Sequence, residues 1–414
     1  MRILWLSHFV PFPPTGGAMQ RAFHLLRHAA SRHEVHLLAL HQPRLLPTAP
    51  ELARSIEALS ALCATVRVFP LPAELSRLHR VAAAARSIVG DAPFDVTWLR
   101  SGAMDAALMD RSARPDVDLV HVDTVGLWPY VEGWDRTPVA LGHHNIESDL
   151  VERRAGHERS SWRSALLRRD AAKLRAVEKR AVRHAAVNLV VSPLDGARLA
   201  ALVPEAAVQV VENGVDTDEW QPSADPGPAG GIVFAGTLGW YPNRDAVEFL
   251  LGEIWPALVA AGLARRLVLV GRDAPPAARA AAAADSRVQV TGFVPDARPY
   301  LRAATVSVCP IRVGGGTRLK ILDALAMAKP VVSTAIGVEG LDLVEGEHYL
   351  RAETAPEFVA QIDRLQRDPA LRHALGAAGR RLVVARHEWR VIGRQLDAAY
   401  ARAVAPPATH AAAV

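Results

Sequence analysis

Residues Gly314–Asp323 (GGGTRLKILD) gather three glycines, two cations and an acid, just before an apolar run that stops at Lys329-Pro330. A glycine-rich turn that runs into a helix aims unpaired backbone N–H groups at whatever lies ahead, and the helix dipole adds positive potential there. Arg318 and Lys320 fall at that same end, where the dipole disfavours positive charge. An anion in front of the helix would offset this cost; plain turn chemistry is the alternative. Asp323 either pairs with a neighbouring base or accepts hydrogen bonds from a ribose, as acids near such loops do.

Weaker candidates lie elsewhere. Gly236-Thr237-Leu238-Gly239 follows an apolar stretch and precedes a helix opened by Pro242-Asn243. It resembles half of a phosphate loop, but no Gly-Lys-Ser/Thr follows, and a tight turn is an equal reading. His143-His144-Asn145 follows a strand, and His121 and Asp123 end another. Two adjacent histidines bind metal only when further ligands converge, and no zinc-type spacing is present. The tripeptides Asp116-Val117-Asp118 and Asp216-Thr217-Asp218 could hold a divalent ion on a nucleotide, but neither is near the glycine loop in sequence, and both are read as structural.

The elements that must position these residues follow a simple alternation. Strands are expected at 2–7, 35–40, 65–69, 117–122, 139–141, 187–191 and 208–211, with helical stretches between most of them. Asn213-Gly214 reads as a tight turn, and Gln221–Gly231 as the clearest linker. A second series follows, with strands at 232–235, 267–270, 288–290, 306–309 and 331–333 and helices near 243–260, 275–284, 296–303 and 318–328. Helices over 354–367, 370–385 and 389–403 close the chain. Short apolar strands separated by helices imply doubly wound parallel sheets, whose ligands sit at the carboxyl ends of strands. Gly236, Gly271, Gly292 and Gly314–Gly316 each follow a strand, so they should line one edge.

The bulk numbers bound the class. With 414 residues, half of them hydrophobic and 22% charged, the chain has room for two cored domains. Cys63 and Cys309 are its only cysteines and form neither a disulfide framework nor a metal cluster, so a reducing cytoplasm is expected. A formal charge of +5 gives no argument for nucleic acid. The opening MRILWLSHFV is too soon broken by Pro11, Pro13 and Pro14 for a signal peptide. No run of about 18 apolar residues suggests a membrane span.

The segment 151–183 is unusually basic, with eleven Lys/Arg against four Asp/Glu. Trp162, Ala165, Leu166, Ala172, Val177 and Ala181 mark a rough helical stripe. It reads either as a long surface helix with a solvated basic face or as a face resting on anionic lipid.

Together these stretches resemble a known family: the retaining glycosyltransferases of GT-B fold, family 4, and among them bacterial exopolysaccharide-associated sugar transferases. The resemblance runs from MRILWLSHFVPFPPTGGAMQRAFHLLRHAA through HHNIES, VSPLD and VENGVDTDEW to FAGTLGWYPNRDAVEFL, LVGRD, TGFVPDARPYL and GGGTRLKILDALAMAKPVVST. It implies two Rossmann-like α/β domains facing each other across a cleft, with a C-terminal helix crossing back to the first. The expected division is an acceptor domain over 1–216 completed by the helix at 386–404, a linker over 217–230, a nucleotide-sugar domain over 231–385 and a flexible tail over 405–414.

By position, the resemblance implies a donor diphosphate held by Gly236, Thr237, Gly316, Thr317, Arg318, Leu319 and Lys320. Asp323 would hold the ribose, and Gly292, Phe293 and Val294 would lie beside the nucleobase. His144, with Gly314 and Gly315, would meet the donor sugar, and Gly16, Gly17, His121 and Asp123 would serve the acceptor side. Catalysis would rest on His144, Arg318 and Lys320, with no metal or other cofactor. Four positions depart from the family pattern. Gly315 stands where an acid usually contacts sugar hydroxyls, Thr237 and Asn243 stand where Arg and Lys are usual, and Asp323 replaces a Glu. Arg318 and Lys320 are expected to compensate for the two missing loop cations.

The implied function is retaining, hexosyl-type transfer from a nucleoside diphosphate sugar to a glycan or lipid-linked acceptor, in cell-surface polysaccharide or glycoconjugate synthesis. The implied setting is the cytoplasm, with peripheral contact at the inner membrane face. The alternatives are a nucleotide-sugar 2-epimerase of the same fold and an inactive nucleotide-sugar-binding subunit.

Overall fold

The structure is a computed structural model that describes residues 1–110, 116–135, 137–223 and 231–405. Half of the expected 217–230 linker and nearly all of the expected tail (224–230 and 406–414) lie outside the described residues. The chain forms two compact units. The first holds Met1–Pro14, Ala18–Val211 and the described residues from Gly393 onward; the second holds Thr15–Gly17 and Glu212–Ile392.

The first unit is built on a seven-stranded parallel sheet of β1 (Arg2–Ser7), β2 (Glu34–His41), β3 (Thr65–Pro70), β4 (Leu119–Val122), β5 (Val139–His143), β6 (Val187–Val190) and β7 (Val208–Val210). Their spatial order is β3-β2-β1-β4-β5-β6-β7. β1 reads RILWLS because helices cover both faces of the sheet: every residue after Arg2 is buried, and a strand covered on both sides has no polar alternate face. The order reverses between β1 and β4, the switch point at which open sheets of this type hold ligands.

The second unit repeats this plan. Its strands are β8 (Gly231–Ala235), β9 (Arg266–Val270), β10 (Val288–Val290), β11 (Val306–Cys309), β12 (Val331–Ser333) and β13 (Leu350–Arg351). They are all parallel, in the order β10-β9-β8-β11-β12-β13. The switch point falls between β8 and β11. Two residues are too few for β13 to announce itself in the sequence.

Several expectations change. The 151–183 segment is not one helix: helices run over Glu147–His157 and Ser161–His184. The break at 158–160 is held by Glu158, which accepts from the Ser160 N–H, and by the Ser164 hydroxyl, which donates to the Ala155 carbonyl. The expected stripe fails at one end, since Trp162, Ala165, Leu166 and Ala172 are exposed. Burial begins only at Ala171 and continues through Leu174, Val177, Ala181 and Val182. The helix expected near 243–260 is interrupted by a π-helical turn at Leu250–Ile254. Pro256 follows, lacking an N–H and crowding the carbonyl one turn earlier, which favours a wider turn.

Asn213-Gly214 does not form a turn. A Cβ on Gly214 would meet the Trp389 ring at 2.8 Å and the His387 carbonyl at 2.9 Å, so glycine is needed for close approach. Val215 also bridges Glu388. These ties draw 212–216 into the second unit, ahead of the expected boundary at 216. The acid tripeptides serve local structure. Asp118 accepts from the Arg2 N–H, and Asp216 accepts from the N–H groups of Asp218 and Glu219.

The last helix, Trp389–Val404, belongs to the first unit from Gly393 onward. Its buried residues there are Leu396, Ala399, Tyr400 and Ala403. Asp397 lies 3.1 Å from His28, and the Tyr400 hydroxyl lies 2.9 Å from His121 Nδ1. Among the described residues no helix is long and apolar enough to cross a membrane.

Candidate active site

In the second unit the strand-end glycines come together at one edge. Gly236 follows β8 and Gly271 follows β9, and the Gly236 N–H donates to the Val270 carbonyl. Gly271 in turn bridges Gly292. Gly236, Gly271 and Gly292 all have positive φ, and a Cβ on Gly271 would lie 1.8 Å from the Gly236 carbonyl oxygen. Only glycine permits this spacing, because an L side chain is disfavoured at such φ and has no room.

The Gly314–Gly316 loop follows β11 on the far side of the switch point and runs into the helix Leu319–Ala326. Arg318, 4% exposed, turns back on this loop. Its guanidinium donates to the carbonyls of Gly315, Gly316 and Ile336. Thr317 Oγ1 accepts from Asn213 Nδ2 at 2.6 Å, a contact that no local pattern announces.

Lys320 behaves differently. Its ammonium leaves the glycine loop and donates to Asn243 Oδ1 at 2.6 Å. It also stands 4.0 Å over the Phe234 ring. Asn243 Nδ2 donates to the Thr237 carbonyl at 2.8 Å, and a Cβ on Gly236 would come within 2.9 Å of Lys320 Nζ. Lys320 therefore packs against the loop at 236–243 that carries Thr237 and Asn243. The expected pair of compensating cations is split: Lys320 reaches that loop, whereas Arg318 braces Gly315 and Gly316.

Asp323 is 8% exposed, and its Oδ1 has no hydrogen-bond partner among the described residues. Burial pushes its carboxyl up to about 8, against the pull of Lys320. Burial likewise lowers Lys320 to about 8. A buried carboxylate oxygen without a donor is costly, and a hydroxyl-bearing ligand would satisfy it. Phe293, beside Gly292, is 58% exposed, a free aromatic face at the same edge.

In the first unit the switch point gathers a second cluster. His8 follows β1, Asp123 follows β4 and His144 follows β5. Asp123 Oδ2 lies 2.9 Å from His8 Nδ1, and Oδ1 lies 3.4 Å from His144 Nε2, the latter long for a hydrogen bond. Burial alone would raise the Asp123 carboxyl, but His144 and His8 hold it well below the usual carboxylate range. These ligand atoms lie within 4.8 Å of one another, close enough for a metal ion. The buried guanidinium of Arg21 interacts with Asp123 as well, and that charge opposes a second cation.

The two adjacent histidines part company. His143 ends β5, is 2% exposed, and pairs with Asn188 Oδ1 at 3.1 Å. Burial drops it to about 4, so it is a neutral sheet residue. His144 points the other way, as successive residues of an extended chain do. His121 is corrected too. It lies on β4 itself, stacked 3.6 Å from the Trp5 ring, with Tyr400 beside it. Burial lowers it to about 3. At 2% exposed it is a core residue, shut off from any acceptor by Trp5 and Tyr400. Around Gly16 a Cβ would meet nothing within 4 Å, and Gly17 opens the helix to Ala30. His8 and Arg21 are the two residues of this cluster that sequence reasoning misses. The strand-end rule could have found His8, but nothing in the local sequence marks Arg21.

Comparison with known proteins agrees with this architecture. Residues 15–219 match the family described as Glycosyltransferase Family 4, and residues 229–368 match Glycosyl transferases group 1. Over 220 residues the chain is 31% identical to alpha-maltose-1-phosphate synthase of Mycobacterium tuberculosis, a match covering 45% of this chain and 55% of that protein. The chain thus spans about half the length of the curated relatives it matches. Sucrose-phosphate synthase from Thermosynechococcus elongatus superimposes with a TM-score of 0.71 at 20% identity, covering 97% of this chain and 98% of that one. Anabaena Alr3699/HepE in complex with UDP-glucose gives 0.64 at 17% identity, covering 97% and 99%. At such identities these two likenesses speak to the fold. With both halves of the chain matched, it belongs to the group 1, family 4 glycosyltransferases and carries their GT-B fold of two Rossmann-like domains.

Proposed function

We propose that this chain transfers a sugar from a nucleoside diphosphate sugar, with retention of anomeric configuration, to a glycan or lipid-linked acceptor in cell-surface polysaccharide or glycoconjugate synthesis. The observation that carries the reading is the edge of the second unit. It sets Gly236, Gly271 and Gly292, the Gly314–Gly316 loop and the Lys320 ammonium at neighbouring strand ends, with Asp323, whose Oδ1 lacks a partner, on the helix that follows the loop. An anion with a hydroxyl-bearing group attached complements this set. The Anabaena neighbour was crystallised with UDP and with UDP-glucose, and we infer a donor of that class here.

In this reading the backbone amides at Gly316–Leu319 and Thr237 and the Lys320 ammonium stabilise charge that grows on the diphosphate as the anomeric bond breaks, while the Gly236 N–H, held by the Val270 carbonyl, shapes the loop. They are worth more to the transition state than to the ground state because they are already oriented. Asp323 accepts from the ribose, Gly292–Val294 lie beside the base, and Gly314 and Gly315 lie beside the sugar. His144, beside Asp123, serves the developing oxocarbenium character of the sugar, and Gly16 and Gly17 serve the acceptor side. The acceptor hydroxyl attacks from the leaving-group face and gives its proton to a diphosphate oxygen, so no carboxylate pair is required. Transfer proceeds without a metal, the positive charge being supplied by Lys320. The setting is the cytoplasm, at an anionic membrane surface.

Calorimetric titration with UDP, GDP, ADP and their glucose conjugates tests the donor site, and proton NMR of the product tests retention. Binding by one nucleoside diphosphate and transfer with the donor's anomeric configuration are expected. No binding by any of them, or an inverted product, overturns the reading.

A further inference from the structure

The helix Arg77–Val89 is turned inside out. Its buried residues are the small Ala83 and Ser87, while Leu78, Val81, Ile88 and Val89 are 82%, 66%, 47% and 84% exposed. At 100° per residue these four large side chains, with Ala82 and Ala85 between them, fall on one face. Leu75, 57% exposed, ends the short helix Pro72–Leu75 just before this one. A surface helix of a water-facing domain carries its large apolar residues on the side of the core; this one presents them to solvent.

The charges beside that row have one sign. Arg77 and Arg86 flank it on opposite sides, Arg80 lies behind against Trp98, and residues 75–90 contain no acid. The orientation is fixed from below. Lys173 Nζ donates to the carbonyls of Ser87 and Gly90, and the Ser87 hydroxyl faces Asp170. Trp162 and Leu166 lie two turns and one turn before Asp170 on that same face of their helix, and they are 62% and 38% exposed. The stretch 161–169 that carries them adds Arg163, Arg168 and Arg169, again without an acid.

We propose that the exposed face of helix 77–89, with the first two turns of helix 161–184 beside it, docks this chain on an anionic lipid bilayer, with Leu78, Val81, Ile88 and Val89 entering the acyl boundary. The pattern is that of an interfacial helix: a narrow apolar stripe, arginines at its borders and no acidic residue. Arginines near an anionic surface add an attraction that salt screens. A second copy of the chain fits this face poorly, because a twofold pairing would set arginine against arginine with no acid to meet it. Lipid contact is thus carried chiefly by helix 77–89 rather than by the whole basic segment 151–183. This inference is independent of the donor chemistry.

Sedimentation of the full chain with sucrose-loaded vesicles tests it, using phosphatidylcholine alone and phosphatidylcholine mixed with phosphatidylglycerol. Wild type should sediment with the mixed vesicles and much less with the neutral ones. The variant Leu78→Glu/Val89→Glu should bind the mixed vesicles at least about tenfold more weakly, and Arg77→Gln/Arg86→Gln should lose most of the preference for them. All four positions are exposed, so circular dichroism and nucleotide binding should match wild type; those readouts keep a lost surface distinct from a lost donor site. Equal vesicle binding by wild type and Leu78→Glu/Val89→Glu overturns the proposal. So does absence of binding to mixed vesicles, or a solution dimer by light scattering that the same variant splits.

Discussion

Lys320 Nζ donates to Asn243 Oδ1 at 2.6 Å, while Arg318, two residues earlier in the chain, donates to the carbonyls of its own glycine loop. Two cations that look equivalent in sequence therefore do different work. Replacing Lys320 by Ala should lower kcat by about 10²-fold, the usual effect of losing a preorganised transition-state donor, with little loss of thermal stability. Replacing Arg318 by Ala leaves buried loop carbonyls without donors and should destabilise the fold by about 1–3 kcal/mol. Steady-state kinetics and thermal unfolding on both variants separate the roles; equal kinetic loss with equal stability would mean that both cations serve the anion.

Asp323 gives a pH signature. Its carboxyl is near 4 when unfolded and about 8 in the folded chain, because burial disfavours the charge. The folded state holds this proton between those values. The stability it brings is therefore complete below about pH 4 and lost as pH rises through about 8. Glu147 and Glu178, raised by burial to about 8 and 7, act in the same sense, so the comparison must be made against Asp323→Asn. Without nucleotide, melting curves between pH 5 and 9 should fall more steeply for wild type than for this variant. Nucleoside binding should also be weaker in Asp323→Asn, and parallel melting profiles would remove Asp323 from the account.

Asp123 stands between His8 and His144. His144→Ala should nearly abolish transfer while leaving nucleotide affinity unchanged. Asp123→Asn keeps the shape but removes the charge, so it should reduce kcat at neutral pH and displace the pH–rate profile while KM for the donor holds. A variant that changes only stability would make Asp123 a packing residue.

Gly271→Ala should be severe. The φ of this residue is +142°, and a methyl carbon placed there would lie 1.8 Å from the Gly236 carbonyl oxygen. These are two independent penalties, each on the order of 1–3 kcal/mol. Thermal unfolding should drop by several degrees, and nucleotide binding should be lost with the shape of the edge. Gly16→Ala, with open space around it, is the control and should leave stability within about 0.5 kcal/mol of wild type.

Tyr400→Phe probes the last helix. The hydroxyl meets buried His121, and its removal leaves the imidazole without that partner. A loss of about 1–2 kcal/mol is expected in denaturant unfolding. No loss would show that the ring alone holds the helix.

The alternation of apolar strands and helices, the glycines at strand ends and the doubly wound sheets were legible in the residues themselves. They depend on local periodicity and on a rule of topology that holds for any chain with that pattern. The direction in which a given side chain points was not legible. Trp162 and Leu166 sit in an apolar stripe yet face solvent, because Lys173 and Asp170 are tied to Ser87 and Gly90, far away in sequence. His121 and Asp123 are neighbours at one strand end, but Trp5 and Tyr400 bury the first while His8 and His144 flank the second. Arg318 and Lys320 share a helix start, and contacts to the Ile336 carbonyl and to Asn243 decide which braces the loop and which reaches across it. Residue types and spacing determined which groups could do chemistry and at which strand ends they would stand. Long-range packing, which no local pattern encodes, decided which of them are free to do it.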